Sequence, residues 1–159
     1  MMGERILLQV EDLKKHYPVR KGLFGKVNQV KALNGVTFQV RDGEVFGIVG
    51  ESGCGKSTLG LTIAKLIEPT GGHIILSGED ITNYTPSQMR EVRQSIQMVF
   101  QDPYASLNPR MSVREIIEEP MVIHKLASSK KEMDKRTVEL LRQVGLDDYH
   151  ANRYPHQFS

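Results

Sequence analysis

The stretch "GESGCGKST", residues 50–58, constrains this chain more than any other feature. It fits the pattern G-x-x-x-x-G-K-S/T, with an apolar run before it and apolar residues at helical spacing after it. Glycines at 50, 53 and 55 let the backbone curl until its N–H groups converge where a Cβ would intrude. Converging amides at the positive end of a helix make an anion-binding nest. The residues expected to line it are Gly50, Glu51, Ser52, Gly53, Cys54, Gly55, Lys56, Ser57 and Thr58. Lys56 supplies a flexible cation for the β- and γ-phosphates of a nucleotide. Ser57 offers a hydroxyl to Mg²⁺, an ion that otherwise keeps mostly water and phosphate ligands. The competing reading is a chance glycine-rich loop, and the strand-loop-helix context weighs against it. Cys54 reads as a permitted filler: a helix N-terminus can depress a thiol pKa, but bound phosphate would cover it.

Composition narrows the setting. The chain has 159 residues, 39% apolar and 25% charged, enough for a real core in a soluble globular protein. A formal net charge of +2 is too small to imply a nucleic-acid partner. The single cysteine, Cys54, allows no intrachain disulfide. The start, "MMGERILLQVEDLKK", lacks the apolar core of a signal peptide. No apolar run approaches the roughly 20 residues that cross a bilayer. The expected location is a reducing cytoplasm, and any membrane role would come through a partner.

Along the chain the first third reads as β. "ILLQVEDL" and "VTFQV" are rich in apolar and β-branched residues, with Val36, Phe38 and Val40 alternating. Asp42-Gly43 marks a turn, and "VFGIV" at 45–49 suits a strand buried on both faces. Leu59, Ile63, Leu66 and Ile67 predict a helix that Pro69 and Gly71-Gly72 end. "HIIL" and "SIQMVF" read as further strands. Thr85-Pro86-Ser87-Gln88 is a helix start, with a threonine cap, a first-turn proline and a glutamine placed to reach back. Ser112 with Glu115, and Ser129 with Glu132, predict two more capping boxes. The second opens a helix with Met133, Leu140, Leu141 and Val144 on one face, stopped by Gly145. The chain therefore divides into a strand-rich part and a helical part, joined near "DPYASLNPR".

Other residues point to no chemistry. His16, His73, His124, His150 and His156 lack metal-ligand spacing and read as surface or packing residues. The methionines, among them Met98 and Met133, read as core filler. Lys130-Lys131 reads as a solvated helix start. Lys14, Lys15, Arg20, Lys21 and Lys26 make the N-terminal segment basic, either to draw in a nucleotide or, preferably, for solubility.

A phosphate loop alone does not separate GTPases, kinases and transport ATPases. The later residues do. "IQMVFQDPYASLNPRMSV" resembles the Q-loop segment of ABC-transporter ATPases. "FQDPYASLNPRM", "ESGCGKSTLG" and "YPHQFS" are similar to the peptide and nickel importer subfamily, the oligopeptide/dipeptide permease ATP-binding subunits. The resemblance runs from "LKKHYPVRKGLFG" to Ser159.

The resemblance implies an α/β fold: a P-loop NTPase (RecA-like) core with an N-terminal antiparallel β region and an incomplete helical subdomain. The expected boundaries are 1–103 for the nucleotide-binding core and 104–159 for the partial helical subdomain. The implied cofactors are ATP and Mg²⁺. Gln101 matches the Q-loop glutamine that touches Mg²⁺ and the attacking water; by position alone it could be a plain strand-end residue. Tyr17 sits where the family places its adenine-stacking aromatic; by position alone it could be a packing tyrosine. Thr58 would reach the α-phosphate region, or serve only the helix start. Implied partners are transmembrane permease subunits, a second ATP-binding subunit closing head-to-tail and, indirectly, a substrate-binding protein, with no nucleic acid. The implied location is the inner face of the cell membrane, as a peripheral protein. Tyr104 to Met111 would meet a short helix of the membrane subunits.

Ser159 matches the signature serine. The rest of that motif, the Walker B aspartate, the catalytic glutamate and the switch histidine are not found in these residues. The resemblance thus implies MgATP binding with poor turnover, and a strand at 45–49 short of parallel neighbours. Two alternatives stay open: a non-catalytic ATP-binding module that regulates partners, and a soluble phosphate-loop enzyme.

Overall fold

The structure, a computed structural model, describes residues 5–20, 27–102 and 104–158. Lys21, Lys26 and Ser159, named above, lie outside the described residues. The chain forms two compact units, divided between Gln97 and Met98.

The first unit is built on a four-stranded antiparallel sheet. β1 (Ile6–Arg20) and β2 (Val27–Arg41) pair along their length, with Val10 opposite Phe38, Lys15 opposite Leu33 and Tyr17 opposite Val30. α1 (Lys56–Ile63) follows the phosphate loop. β3 (Gly71–Leu76) adds to the other edge of β1, and β4 (Glu79–Asp80) returns beside β3, giving the order β2-β1-β3-β4. α2 (Pro86–Val92) closes the unit. Alternation is broken in β1, where a bulge at Asp12 (φ 45°) brings both Val10 and Leu13 to the buried face; these pack with Leu33 of β2, Ile74 of β3, Leu59 of α1, Ile81, and Met89 of α2.

The second unit holds α3 (Val113–Ile123), α4 (Lys130–Gln143) and two 3-10 turns, Asp148–Asn152 and Pro155–Gln157. Met121, Leu141 and Ala151 are its buried apolar residues. Arg114 ties its helices, bonding Glu118 at 3.2 Å and Asp134. The guanidinium of Arg142 grips both carboxylate oxygens of Asp148 at 3.1 and 2.9 Å.

Helix starts follow the local code closely. Thr85 and Ser112 each accept an amide three residues on, while Gln88 and Glu115 reach back to the cap. At α4, Ser129 accepts from the Glu132 amide, but the Glu132 carboxylate reaches one residue further, to the amide and hydroxyl of Ser128. The second predicted box is therefore a cap shared between two serines.

Helix ends are less legible. α1 stops at Ile63 rather than running to Ile67. Lys65 takes φ 54°, with Leu66 N–H on Leu61 O at 2.9 Å and Lys65 N–H on Thr62 O at 3.0 Å. That is a Schellman motif with lysine at the left-handed position. Leu66 is consequently half-exposed. α4 ends in the same motif with the predicted glycine, Gly145, at φ 78°. Its buried face is centred on Thr137 and Leu141, while Leu140 and Val144 point outward. The buried face is rotated from the expected one by roughly 40° about the helix axis, toward the Asp134–Thr137 side that Arg114 and Glu118 of α3 bond.

Two predicted strands do not form. Residues 45–49 and 95–100 carry no ladder, and Val45, Val49 and Val99 are 98, 96 and 88% exposed. A strand exists only through its hydrogen-bonded neighbours, and no described segment pairs with either run. Met98, placed on one of these strands, is only half-buried.

Candidate nucleotide-binding site

The phosphate loop runs from Gly50 to the first turn of α1. Gly55 caps that helix at φ 101°, a conformation that disfavours any side chain. A Cβ there would also lie 2.5 Å from Ala32 O on β2, so the loop sits directly on that strand. No side chain caps the helix, which leaves its first-turn amides open to an anion. Leu59, 5% exposed, anchors the helix in the core, and the buried Thr62 hydroxyl is satisfied within the helix, donating to Thr58 O at 2.7 Å.

Lys56 decides the electrostatics. Its ammonium donates to Gly50 O at 2.7 Å and Glu51 O at 2.6 Å, with Cys54 Sγ at 3.6 Å. The cation thus sits inside its own loop, where two carbonyl oxygens occupy the places that phosphate oxygens could take. Glu51, Ser52, Gly53, Cys54 and Ser57 are exposed, Ser57 in the first turn of α1. An exposed serine hydroxyl beside a lysine cation and open amides fits a magnesium-bound polyphosphate.

Tyr17 stands on β1 opposite Val30, two residues from the Ala32 carbonyl on which Gly55 rests. The register therefore brings the aromatic ring and the phosphate loop to one region of the first unit. The ring is 36% exposed. Gln101 is exposed, in a bend within the second unit. Asp102 there accepts the Ala105 amide at 3.0 Å, turning the chain into the Tyr104 segment. In the same unit Tyr104, Leu107, Val113, Leu146, Pro155 and Phe158 line an apolar cavity of about 360 Å³.

Sequence reasoning left Lys15 among the solubility lysines. The structure bonds it to Glu68 O at 2.6 Å and sets it 5.0 Å from the Tyr17 ring centre. The available signal was its i, i+2 relation to Tyr17, which puts both on one face of a strand. Among the described residues no cluster of three or more His, Cys, Asp or Glu could hold a metal, and no helix is long and apolar enough to cross a membrane.

Comparison with known proteins gives these residues a family. Residues 33–159 match the family model described as ABC transporter. The chain belongs to that family. Its ABC-transporter relatives include the oligopeptide transport ATP-binding protein AppF of Bacillus subtilis, 50% identical over 99% of this chain and 48% of the relative. The dipeptide transport ATP-binding protein DppF of Escherichia coli is 48% identical over 96% of this chain and 46% of the relative. The chain spans about half the length of the curated relatives it matches. Among solved structures, the ATP-binding cassette MJ0796, in a dimeric post-hydrolysis state bound to ADP and Pi, superposes with a TM-score of 0.80 at 28% identity. That match covers 96% of this chain and 63% of the cassette. The fold is thus that of an ABC cassette, a mixed α/β P-loop NTPase, as the resemblance implied.

Proposed function

We propose that this chain is the N-terminal portion of the ATP-binding, energy-coupling subunit of an importer for oligopeptides, dipeptides or related solutes, and that it binds MgATP. The observation that carries the proposal is the Lys56 ammonium held on Gly50 O and Glu51 O, in a loop that leads into a helix whose start no side chain caps. Phosphate oxygens would replace those carbonyls, exchanging two neutral acceptors for charged ones at the same cation. The Gly50–Thr58 loop would hold the phosphates, Thr58 near the α-phosphate, and Tyr17 would stack on adenine. Ser57 would hold Mg²⁺, which neutralises charge on the β- and γ-phosphates when bound. Gln101 is assigned to Mg²⁺ and the attacking water on resemblance alone.

The names of the relatives support the peptide-transport reading, and with it transmembrane permease partners, a second ATP-binding subunit and a peripheral place on the inner face of the membrane. The apolar cavity beside Tyr104 and Leu107 supports the Tyr104–Met111 segment as the place where a permease helix docks. Hydrolysis also needs a group that positions or deprotonates water. Residues 1–159 alone are accordingly proposed to bind MgATP and turn it over slowly.

Calorimetry on the purified chain tests the central claim. MgATP should bind, and Lys56→Ala should weaken binding at least tenfold while leaving the far-UV spectrum unchanged. Absence of binding by the folded chain, or equal affinity in the variant, would refute it.

A further inference from the structure

Lys15 and Tyr17 lie two apart on β1, on one face of the sheet. Tyr17 is the proposed base-stacking ring, and one side of it is already occupied. The Lys15 ammonium stands 5.0 Å from the ring centre. It is not a loose surface cation, because it donates to Glu68 O at 2.6 Å. That carbonyl belongs to the segment leaving α1, and the segment is fixed on both sides. Before it, Lys65 has a fully buried side chain that bonds the Glu68 carboxylate and donates to Thr82 O at 2.6 Å. After it, the Thr70 amide bonds Lys14 O at 2.8 Å and the Thr70 hydroxyl accepts the His16 amide at 3.0 Å.

We infer that Lys15 is a positioning residue for nucleotide binding: anchored on Glu68 O, it holds its charge over one face of Tyr17 and so fixes the ring to stack on a purine base with the other. This rests on the reading of Tyr17 given above. The physical gain is preorganisation. A ring already ordered by a cation–π contact loses less freedom when a base arrives. The contact also ties the base end of the site to α1, whose first turn carries the phosphate loop.

The chain contains no tryptophan, so Tyr17→Trp places a single fluorescent reporter at the stacking position. The full chain and its Tyr17→Ala, Lys15→Ala and Lys15→Arg variants are titrated with MgATP and with magnesium tripolyphosphate, which has the phosphates without the base. Lys15→Ala should weaken MgATP about two- to fivefold and leave tripolyphosphate unchanged, the size expected for one exposed cation–π contact. Lys15→Arg, able to keep both contacts, should retain MgATP affinity. In the Tyr17→Trp background, adding Lys15→Ala should reduce the quenching that MgATP produces at saturation. If Lys15→Ala fails to fold, Lys15→Met, which keeps the aliphatic stem, carries the same comparison. Equal weakening of both ligands would make Lys15 merely structural and overturn the inference. Unchanged or tighter MgATP binding would overturn it too, the latter showing that the lysine obstructs the base. Should Tyr17→Ala leave the ratio of the two affinities unmoved, the Tyr17 reading itself fails and this inference goes with it.

Discussion

At the residue scale, single side chains serve two partners at once. The Thr82 hydroxyl donates to Asp80 Oδ1 at 2.5 Å and accepts the amide of buried Ile74 at 2.7 Å. That hydroxyl, with the Thr82 amide and His73 adding to it, holds the Asp80 carboxyl below its ordinary value of 3.8, against a smaller upward push from burial. A carboxylate depressed in the folded state stabilises above its unfolded pKa, and the gain is lost as pH falls through the lowered folded value. Thr82→Val should therefore raise the Asp80 midpoint toward 3.8, read by carboxyl-carbon NMR titration. It should destabilise the protein at neutral pH, and the gap to the parent should narrow on acidification below 3.8. A remainder should persist at every pH, because the Ile74 amide would be left buried and unpaired, at about 1–3 kcal/mol.

At the element scale, three helices end in the same backbone motif with different residues at its left-handed position: Lys65, Lys125 and Gly145. A non-glycine residue there costs roughly 1 kcal/mol. Lys125 is exposed, at φ 52°. Lys125→Gly should thus raise stability by about 0.5–1 kcal/mol in denaturant unfolding. The same substitution at Lys65 should lower it, since that side chain is buried and bonds Glu68 and Thr82 O. Identical backbones give opposite signs because only one lysine has a tertiary role. Helix starts need no such context: Ser112→Ala should cost about 1 kcal/mol through the lost cap. The capping boxes at Thr85 and Ser112 were legible because they join residues three apart. The end of α1 was not, because the buried Lys65 depends on Thr82, seventeen residues away.

At the scale of the whole molecule, burial is uneven. The first unit's core around Leu13 and Ile74 is fully enclosed, whereas Val45 and Val49, just before the phosphate loop, are almost fully exposed. Leu13→Ala should cost about 2–5 kcal/mol through lost transfer energy and a cavity. Val45→Thr should change stability by less than about 0.5 kcal/mol. Hydrogen exchange should follow the same division, with slow amides at Val10 and Ile74 and fast ones at 45–49; protection at 45–49 equal to that of β1 would contradict the unpaired backbone seen here. By itself the sequence determined what neighbouring residues can settle: the curled loop at 50–58 and its lysine, the helix starts at Thr85 and Ser112, and extended runs at 6–13, 36–40 and 73–76 that fall within the longer β1, β2 and β3. Only the tertiary structure decided whether the runs at 45–49 and 95–100 are strands, which face of α4 is buried, and that Lys15 meets Glu68 across fifty-three positions. The division is physical: turns, caps and alternation are set over a few bonds, while a ladder, a buried face or a distant carbonyl has no energy until a remote segment arrives to supply it.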